Sequence, residues 1–131
     1  RVPLPWKTDS AGGFGFSSNA AMTCEQLWLP QSSWMGKYSV QSQEGVEGST
    51  LSIYQNALAI RKQEPGLGDG PMEWIEAGKD VVAYSRPGKF ACYINFGSAI
   101  EIPTGSKVLI SSGPLQGNSI STDTAVWLRL P

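Results

Sequence analysis

For its first 48 residues this chain sustains no hydrophobic period of either 2 or 3.6, and it then switches to one helical run followed by short alternating ones. The aperiodic stretch carries Trp6, Phe14, Phe16, Trp28, Trp34 and Tyr38 among Pro3, Pro5, Pro30 and several glycines. Loops of that length with no secondary structure of their own are uncommon inside compact domains. The aromatics are therefore expected to lie against a surface, either the rest of this domain or a body of protein that precedes it, and we expect the preceding body. The opening Arg1-Val2-Pro3-Leu4-Pro5-Trp6, with neither an initiator Met nor a secretory segment, reads in the same way as the end of a larger protein.

At 131 residues the chain can bury one compact core and hardly two. Charged residues make up only 16% and nearly cancel, with 10 Lys and Arg against 11 Asp and Glu, so neither nucleic acid nor an anionic membrane is an expected partner. No apolar stretch approaches the roughly 20 residues that span a bilayer. There is no histidine, and Cys24 and Cys92 do not form a CxxC pair, so a structural zinc site lacks its ordinary ligands and no metal or cofactor is expected. The same absence removes Ser-His-Asp and Cys-His catalysis, because neither nucleophile would have its base. A Cys24–Cys92 disulfide is arithmetically open, but Cys92 lies in an apolar alternating run and is expected to be a buried free thiol, which points to the cytoplasm.

Chemistry in such a chain would have to rest on carboxylates. Nothing in the spacing of Asp9, Glu25, Glu73 and Glu101 places two of them on one face, and scattered carboxylates are ordinarily solvated. Glu73 and Glu76 flank Trp74 but stand three apart, on opposite faces of a strand. No catalytic residue is assigned.

A helix is expected over 49–63, capped by Ser49 or Gly48 and closed by Arg61 and Lys62 ahead of Pro65-Gly66. Its apolar residues Leu51, Ile53, Tyr54, Ala57, Leu58 and Ile60 cover more than one stripe, as in a helix packed on two sides. The glycines from Gly66 to Gly70 precede no Lys-Ser/Thr and follow no strand, so they end the helix rather than cradle phosphate. Strands are expected at 72–76, 81–85, 90–96, 99–102, 107–111 and 125–130, giving an antiparallel β half. Pro87-Gly88 suits a type II turn and predicts a hairpin between the second and third of these. Within 90–96, Phe90, Cys92, Ile94 and Phe96 share one face and Ala91, Tyr93 and Asn95 the other; the aromatic face is expected to be core, as is Trp127.

The landmarks also follow one another in a specific order. Arg1 through Trp6 resembles an Arg-Thr-Pro-Met-Gln/Pro-Trp segment, with Val2 and Leu4 replacing the commoner Thr and Met. Gly15-Phe16-Ser17 and Trp28-Leu29-Pro30 resemble Gly-Phe-Ser/Thr and Pro-Trp-Leu-Pro, the second lacking Pro before its Trp. Ser49-Thr50-Leu51-Ser52-Ile53-Tyr54 with Leu58-Ala59-Ile60-Arg61 resembles a final barrel helix, Ser-x-Leu-x-x-Tyr-x-x-Leu-x-x-Leu-Arg. The run from Phe90 to Gly97 resembles a central strand ending in Asn-Phe, and Ser112-Gly113-Pro114-Leu115 and Asp123-Thr124-Ala125-Val126-Trp127-Leu128 resemble closing strands. Together they resemble the C-terminal part of an α-glucosidase or oligo-1,6-glucosidase of the α-amylase superfamily, glycoside hydrolase family 13.

That resemblance implies a mainly β fold: a domain C type antiparallel β-sandwich over 69–131, preceded over 1–68 by a long loop and one α-helix derived from a (β/α)8 barrel. It implies a missing (β/α)8 catalytic domain as partner and an oligosaccharide as the substrate of the whole enzyme. The carboxylates that cleave terminal α-glucosidic bonds with retention would lie upstream, so this chain would be inactive alone. Arg1 and Trp6 would run beside the substrate pocket, where guanidinium can bind hydroxyls and indole can stack on a sugar. Without its body, the helix and the loop over 1–48 would expose apolar faces through which the chain could dimerise. A bacterial, cytoplasmic setting is implied. Two other readings stay open: a carbohydrate-binding sandwich using Trp6, Trp28 or Trp34, and a noncatalytic homologue such as a transporter heavy chain.

Overall fold

The computed structural model describes residues 2–131. They form two compact units, one ending at Ser52 and the other running Ile53–Pro131.

In the first unit the aperiodic stretch is a coil punctuated by short helical turns at Ala11–Gly15, Cys24–Gln26, Ser33–Tyr38 and Val40–Gln43. Phe14, Leu27 and Met35 are its buried large apolar side chains. Of the six aromatics named above, only Phe14 is inside; Trp6, Phe16, Trp28, Trp34 and Tyr38 are exposed.

The long helix is Thr50–Gln63. Ser49 caps it, its Oγ accepting from Ser52 N at 3.2 Å, and Gln43 Oε1 accepts a second free N–H from Leu51 at 3.1 Å. None of its residues is buried. Tyr54 and Leu58, one turn apart on the same face, are 66% and 47% exposed.

The β-rich unit is an antiparallel sandwich. Its larger sheet has the order β1-β2-β3-β7-β5, with β1 Glu73–Trp74, β2 Val81–Arg86, β3 Phe90–Asn95, β5 Lys107–Ser111 and β7 Thr124–Arg129. The smaller sheet pairs β4 Ile100–Glu101 with β6 Ser119–Ile120. The hairpin forms where expected, closing at Arg86↔Phe90, with Gly88 at φ +76° and Lys89 also left-handed at φ +64°. The strand expected at 72–76 is hydrogen-bonded as a ladder over only two residues. A strand at Ser119–Ile120 was not expected from a polar segment without alternation; Asn118 secures it, its carbonyl accepting from Ile102 N at 2.9 Å and its Nδ2 donating to Ile102 O at 3.0 Å.

The core between the sheets corrects one expectation. Ala83, Ala91, Tyr93, Val126 and Leu128 of the large sheet meet Ile102 and Ile120, so the inner face of β3 is the Ala91, Tyr93, Asn95 face. Phe90, Cys92, Ile94 and Phe96 lie on the outer face, where Phe90 and Cys92 are buried, Ile94 is half-buried and Phe96 is 58% exposed. Alternation separates two faces but does not say which is inner when both are apolar, and side-chain bulk chose wrongly. Trp127 is corrected for the same reason. It pairs with Cys92, stacks edge-on to Phe90 at 5.8 Å and is half-buried on the outer face, while Val126 and Leu128 enter the core.

Asn95 is the polar pin of this core. Fully buried, its Nδ2 donates to the carbonyls of Ser98, Ile120 and Ser121 at 2.9, 3.0 and 3.2 Å, and its Oδ1 accepts from Gly97 N at 3.0 Å. A strand end and two loop segments are thereby fixed by one amide.

Both cysteines are free thiols. Burial pushes the Cys92 thiol above its ordinary pKa, with hydrogen bonds to Tyr84 and Trp127 acting in the opposite direction. A raised value leaves less thiolate at any given pH. Iodoacetamide at pH 8, followed by peptide mass spectrometry, is expected to alkylate the partly exposed Cys24 first and Cys92 only when urea opens the sandwich; equal rates in the native chain would contradict this packing.

Candidate functional site

Residues 3–8 form a strap clamped by three separate segments of the first unit. Gln31 Nε2 donates to Pro3 O at 2.6 Å, Val40 N to Pro5 O at 3.0 Å and Gln41 N to Trp6 O at 3.0 Å. Thr8 N donates to Gln41 Oε1 at 3.0 Å. Trp6 N and Lys7 N both donate to Phe14 O, at 2.8 and 2.9 Å.

Phe14 can receive both bonds because of an unusual local conformation. Gly12, Gly13, Phe14 and Gly15 are successively left-handed, with φ of 60°, 64°, 57° and 76°. Three glycines take that shape freely, but Phe14 pays about 1–2 kcal/mol for it. Burial of its ring, only 2% exposed, and the paired N–H groups on its carbonyl offset that cost. Gly36 makes room for the ring: a Cβ there would sit 3.0 Å from Phe14 Cε1.

The strap presents Trp6 with 48% of its surface exposed, fixed at the backbone but open at the indole. Arg1, the other expected substrate-proximal residue, lies outside the described residues. Trp28 is 89% exposed, and Trp34 is 56% exposed with Tyr38 packed edge-on at 5.8 Å. Beside the left-handed turn is a hollow of about 340 Å³, lined by Ser10, Phe14, Met22, Cys24, Gln31 and Ser33 among others. Gln31 is buried, and its Oε1 has no hydrogen-bond partner among the described residues.

Asp9 is exposed and accepts from Ala11 N at 3.1 Å. Glu25 is fully exposed, and hydrogen bonds from the Thr23 side chain and its own backbone N–H hold its pKa below the ordinary value. Glu73, Glu76 and Glu101 are exposed as well. Among the described residues no group of three His, Cys, Asp or Glu could hold a metal, and no helix is long and apolar enough to cross a membrane.

Sequence reading missed the one carboxylate that is buried among the described residues. Glu64, just beyond the helix, forms a salt bridge through Oε2 with Arg129 Nη2 of β7, while its Oε1 has no partner among the described residues. The two stand 65 positions apart, so no local pattern could reveal the pair. It joins the segment after the helix to the closing strand.

No protein-family model matches the chain. A curated Rhizobium meliloti protein named "Probable alpha-glucosidase" is 27% identical over 124 residues, covering 94% of this chain and 21% of that protein. Among solved structures, the trehalulose synthase of Pseudomonas mesoacidophila superposes with a TM-score of 0.72 at 23% identity, covering 98% of this chain and 25% of that one. An α-amylase from H. orenii superposes at 0.68 with 22% identity, covering 98% and 28%. The chain thus spans about a fifth of the curated relatives it matches, 21% and 18%, with 94% and 80% of its own length aligned.

Proposed function

We infer, for a chain that is the C-terminal portion of an α-glucosidase-type member of the α-amylase superfamily, that it serves as the structural closing part of a retaining glycoside hydrolase. The whole enzyme would release terminal α-linked glucose from oligosaccharides by double displacement. One carboxylate attacks the anomeric carbon to form a glycosyl ester while a carboxyl about 5 Å away protonates the leaving oxygen, and water then reverses the pair of roles. Both carboxyls would come from a (β/α)8 body preceding this chain, at the strand ends where that fold gathers its chemistry.

The observation that carries this reading is the coverage: 94% of the chain aligns with 21% of an α-glucosidase relative. In this reading residues 1–68 are the remnant of the barrel and 69–131 its domain C. The exposed side of the helix, Tyr54 and Leu58, would be covered by the barrel. The strap would hold Arg1 and Trp6 beside the substrate, Arg1 binding hydroxyls and Trp6 offering an apolar face to a sugar ring. A cytoplasmic, bacterial setting fits the two free thiols.

The test is hydrolysis of a chromogenic α-glucoside. The 131-residue chain is expected to show no turnover, and the polypeptide carrying the preceding region to show it. Turnover by the chain alone, persisting through repurification, would overturn the reading. The exposed indoles of Trp6, Trp28 and Trp34 favour a second reading, a carbohydrate-binding module. Saturable quenching of Trp fluorescence by maltose in the chain alone would support that instead.

A further inference from the structure

Two departures from ordinary packing meet at the hollow of about 340 Å³ beside the left-handed turn. Phe14, on its wall, holds φ +57°, a conformation that a bulky L residue rarely adopts. Gln31, also on its wall, is only 6% exposed; its Nε2 donates to Pro3 O at 2.6 Å, but its Oε1 has no hydrogen-bond partner among the described residues. Buried polar atoms are nearly always paired, and strained backbone gathers at sites that bind something. With its donor already committed to the strap, this amide has an acceptor left to offer.

The rest of the lining narrows the chemistry. Its other polar side chains are the hydroxyls of Ser10, Thr23 and Ser33, the Cys24 thiol, and the carboxylate of Glu25, which is fully exposed. Neither Lys nor Arg is among the described residues that line it, and the chain has no His. An anion would therefore enter without a counter-charge and against the charge of Glu25. A cation meets the opposite case. Glu25 supplies the charge, Gln31 and the hydroxyls supply acceptor oxygens, and a primary ammonium is a donor with no acceptor of its own. Hydrogen bonds from the Thr23 side chain and its own backbone N–H favour the ionised form of Glu25. The remaining wall is apolar, with Phe14 and Met22 its largest side chains, and suits a short alkyl chain. Its volume lies at the small end of ligand pockets, which run from roughly 300 to 1,000 Å³.

We propose that this hollow binds a small primary alkylammonium, with Glu25 and Gln31 Oε1 taking the head group and Phe14 and Met22 the chain. Every residue of the site belongs to the first unit, so it is independent of whatever activity a longer polypeptide has.

Cys24 lines the same hollow and reports its occupancy. The test titrates n-butylammonium chloride against iodoacetamide alkylation of Cys24 at pH 7, read by peptide mass spectrometry, in the 131-residue chain and in the polypeptide carrying the preceding region. n-Butanol and butyrate serve as probes of the same chain length with a neutral and an anionic head. Butylammonium is expected to slow alkylation about threefold or more, with half the effect near roughly 1 mM, an affinity open to so small a ligand, while butanol and butyrate leave the rate unchanged. Glu25→Gln, at a fully exposed side chain that the fold does not depend on, should weaken the protection about tenfold through loss of a charge-assisted bond. It is the variant of choice because Gln31 also holds Pro3, and replacing it would loosen the strap. No slowing, equal slowing by butanol or butyrate, or slowing undiminished in Glu25→Gln overturns the site. Slowing that persists in urea also overturns it, since the amine is then consuming the reagent. Protection confined to the 131-residue chain, or a Cys24 that resists iodoacetamide in the longer polypeptide without any amine, places other protein in the hollow and overturns the proposal as well.

Discussion

Asn95→Asp is expected to destabilise the sandwich by about 4 kcal/mol at neutral pH, the cost of removing a buried donor from several acceptors and adding an uncompensated charge. The substitution is nearly isosteric, so packing changes little. What changes is polarity: Nδ2 now donates to the carbonyls of Ser98, Ile120 and Ser121, and a carboxylate oxygen in its place would face three lone-pair-bearing oxygens with no proton to offer. The pH dependence follows. Burial and repulsion raise the folded-state pKa of the new carboxyl above its unfolded value near 3.9. The native state then binds more protons than the unfolded one, and stability falls as pH rises from about 4 until the folded carboxyl itself ionises. Urea melts followed by circular dichroism should show the deficit shrinking between pH 7 and pH 4. A deficit independent of pH would mean that the amide is not the pin described.

Arg129→Met is expected to cost about 2 kcal/mol, below the roughly 3–5 kcal/mol of a fully buried pair because solvent reaches the guanidinium. Arg129 is 46% exposed at its side chain, whereas Glu64 is 2% exposed and has no partner for Oε1 among the described residues. The asymmetry predicts which single substitution hurts more. Removing Arg129 strands a buried charge, while Glu64→Leu removes the charge that needs shelter and should cost less. The double variant should recover most of the stability lost by Arg129→Met, a coupling that a double-mutant cycle reads directly. Additive losses would show that the two side chains act separately.

The sequence announced its elements better than their surroundings. The helix was legible because its signals are local: Ser49 at the cap, Arg61 and Lys62 in the last turn, Pro65 beyond. The hairpin was legible from Pro87-Gly88, since backbone φ values are dictated by the residues that adopt them. The inner face of β3 was not, because Phe90 and Cys92 are buried as thoroughly as Ala91 and Tyr93 and the difference lies in what covers them. The left-handed turn at Gly12–Gly15 also escaped notice; Phe14 holds its place there through bonds from Trp6 and Lys7 that join positions seven and eight residues apart. Glu64 and Arg129 meet only after the β topology brings the closing strand back past the end of the helix. At the candidate site, Trp6 could be named from its flanking residues, but the strap that fixes it depends on Gln31, Val40 and Gln41, none of which carries a signal of its own.

The central claim is that this chain shapes and steadies a glycosidase whose reacting carboxylates lie elsewhere in the polypeptide. A 5-fluoro-α-glucosyl fluoride tests it most directly, because a retaining enzyme's nucleophile displaces fluoride and is left as a slowly hydrolysed glycosyl ester. Peptide mapping of the labelled longer polypeptide should find the ester on a peptide that precedes Arg1 and on none of the peptides of this chain. An ester on Asp9, Glu25, Glu64, Glu73 or any other carboxylate of these 131 residues would contradict the account.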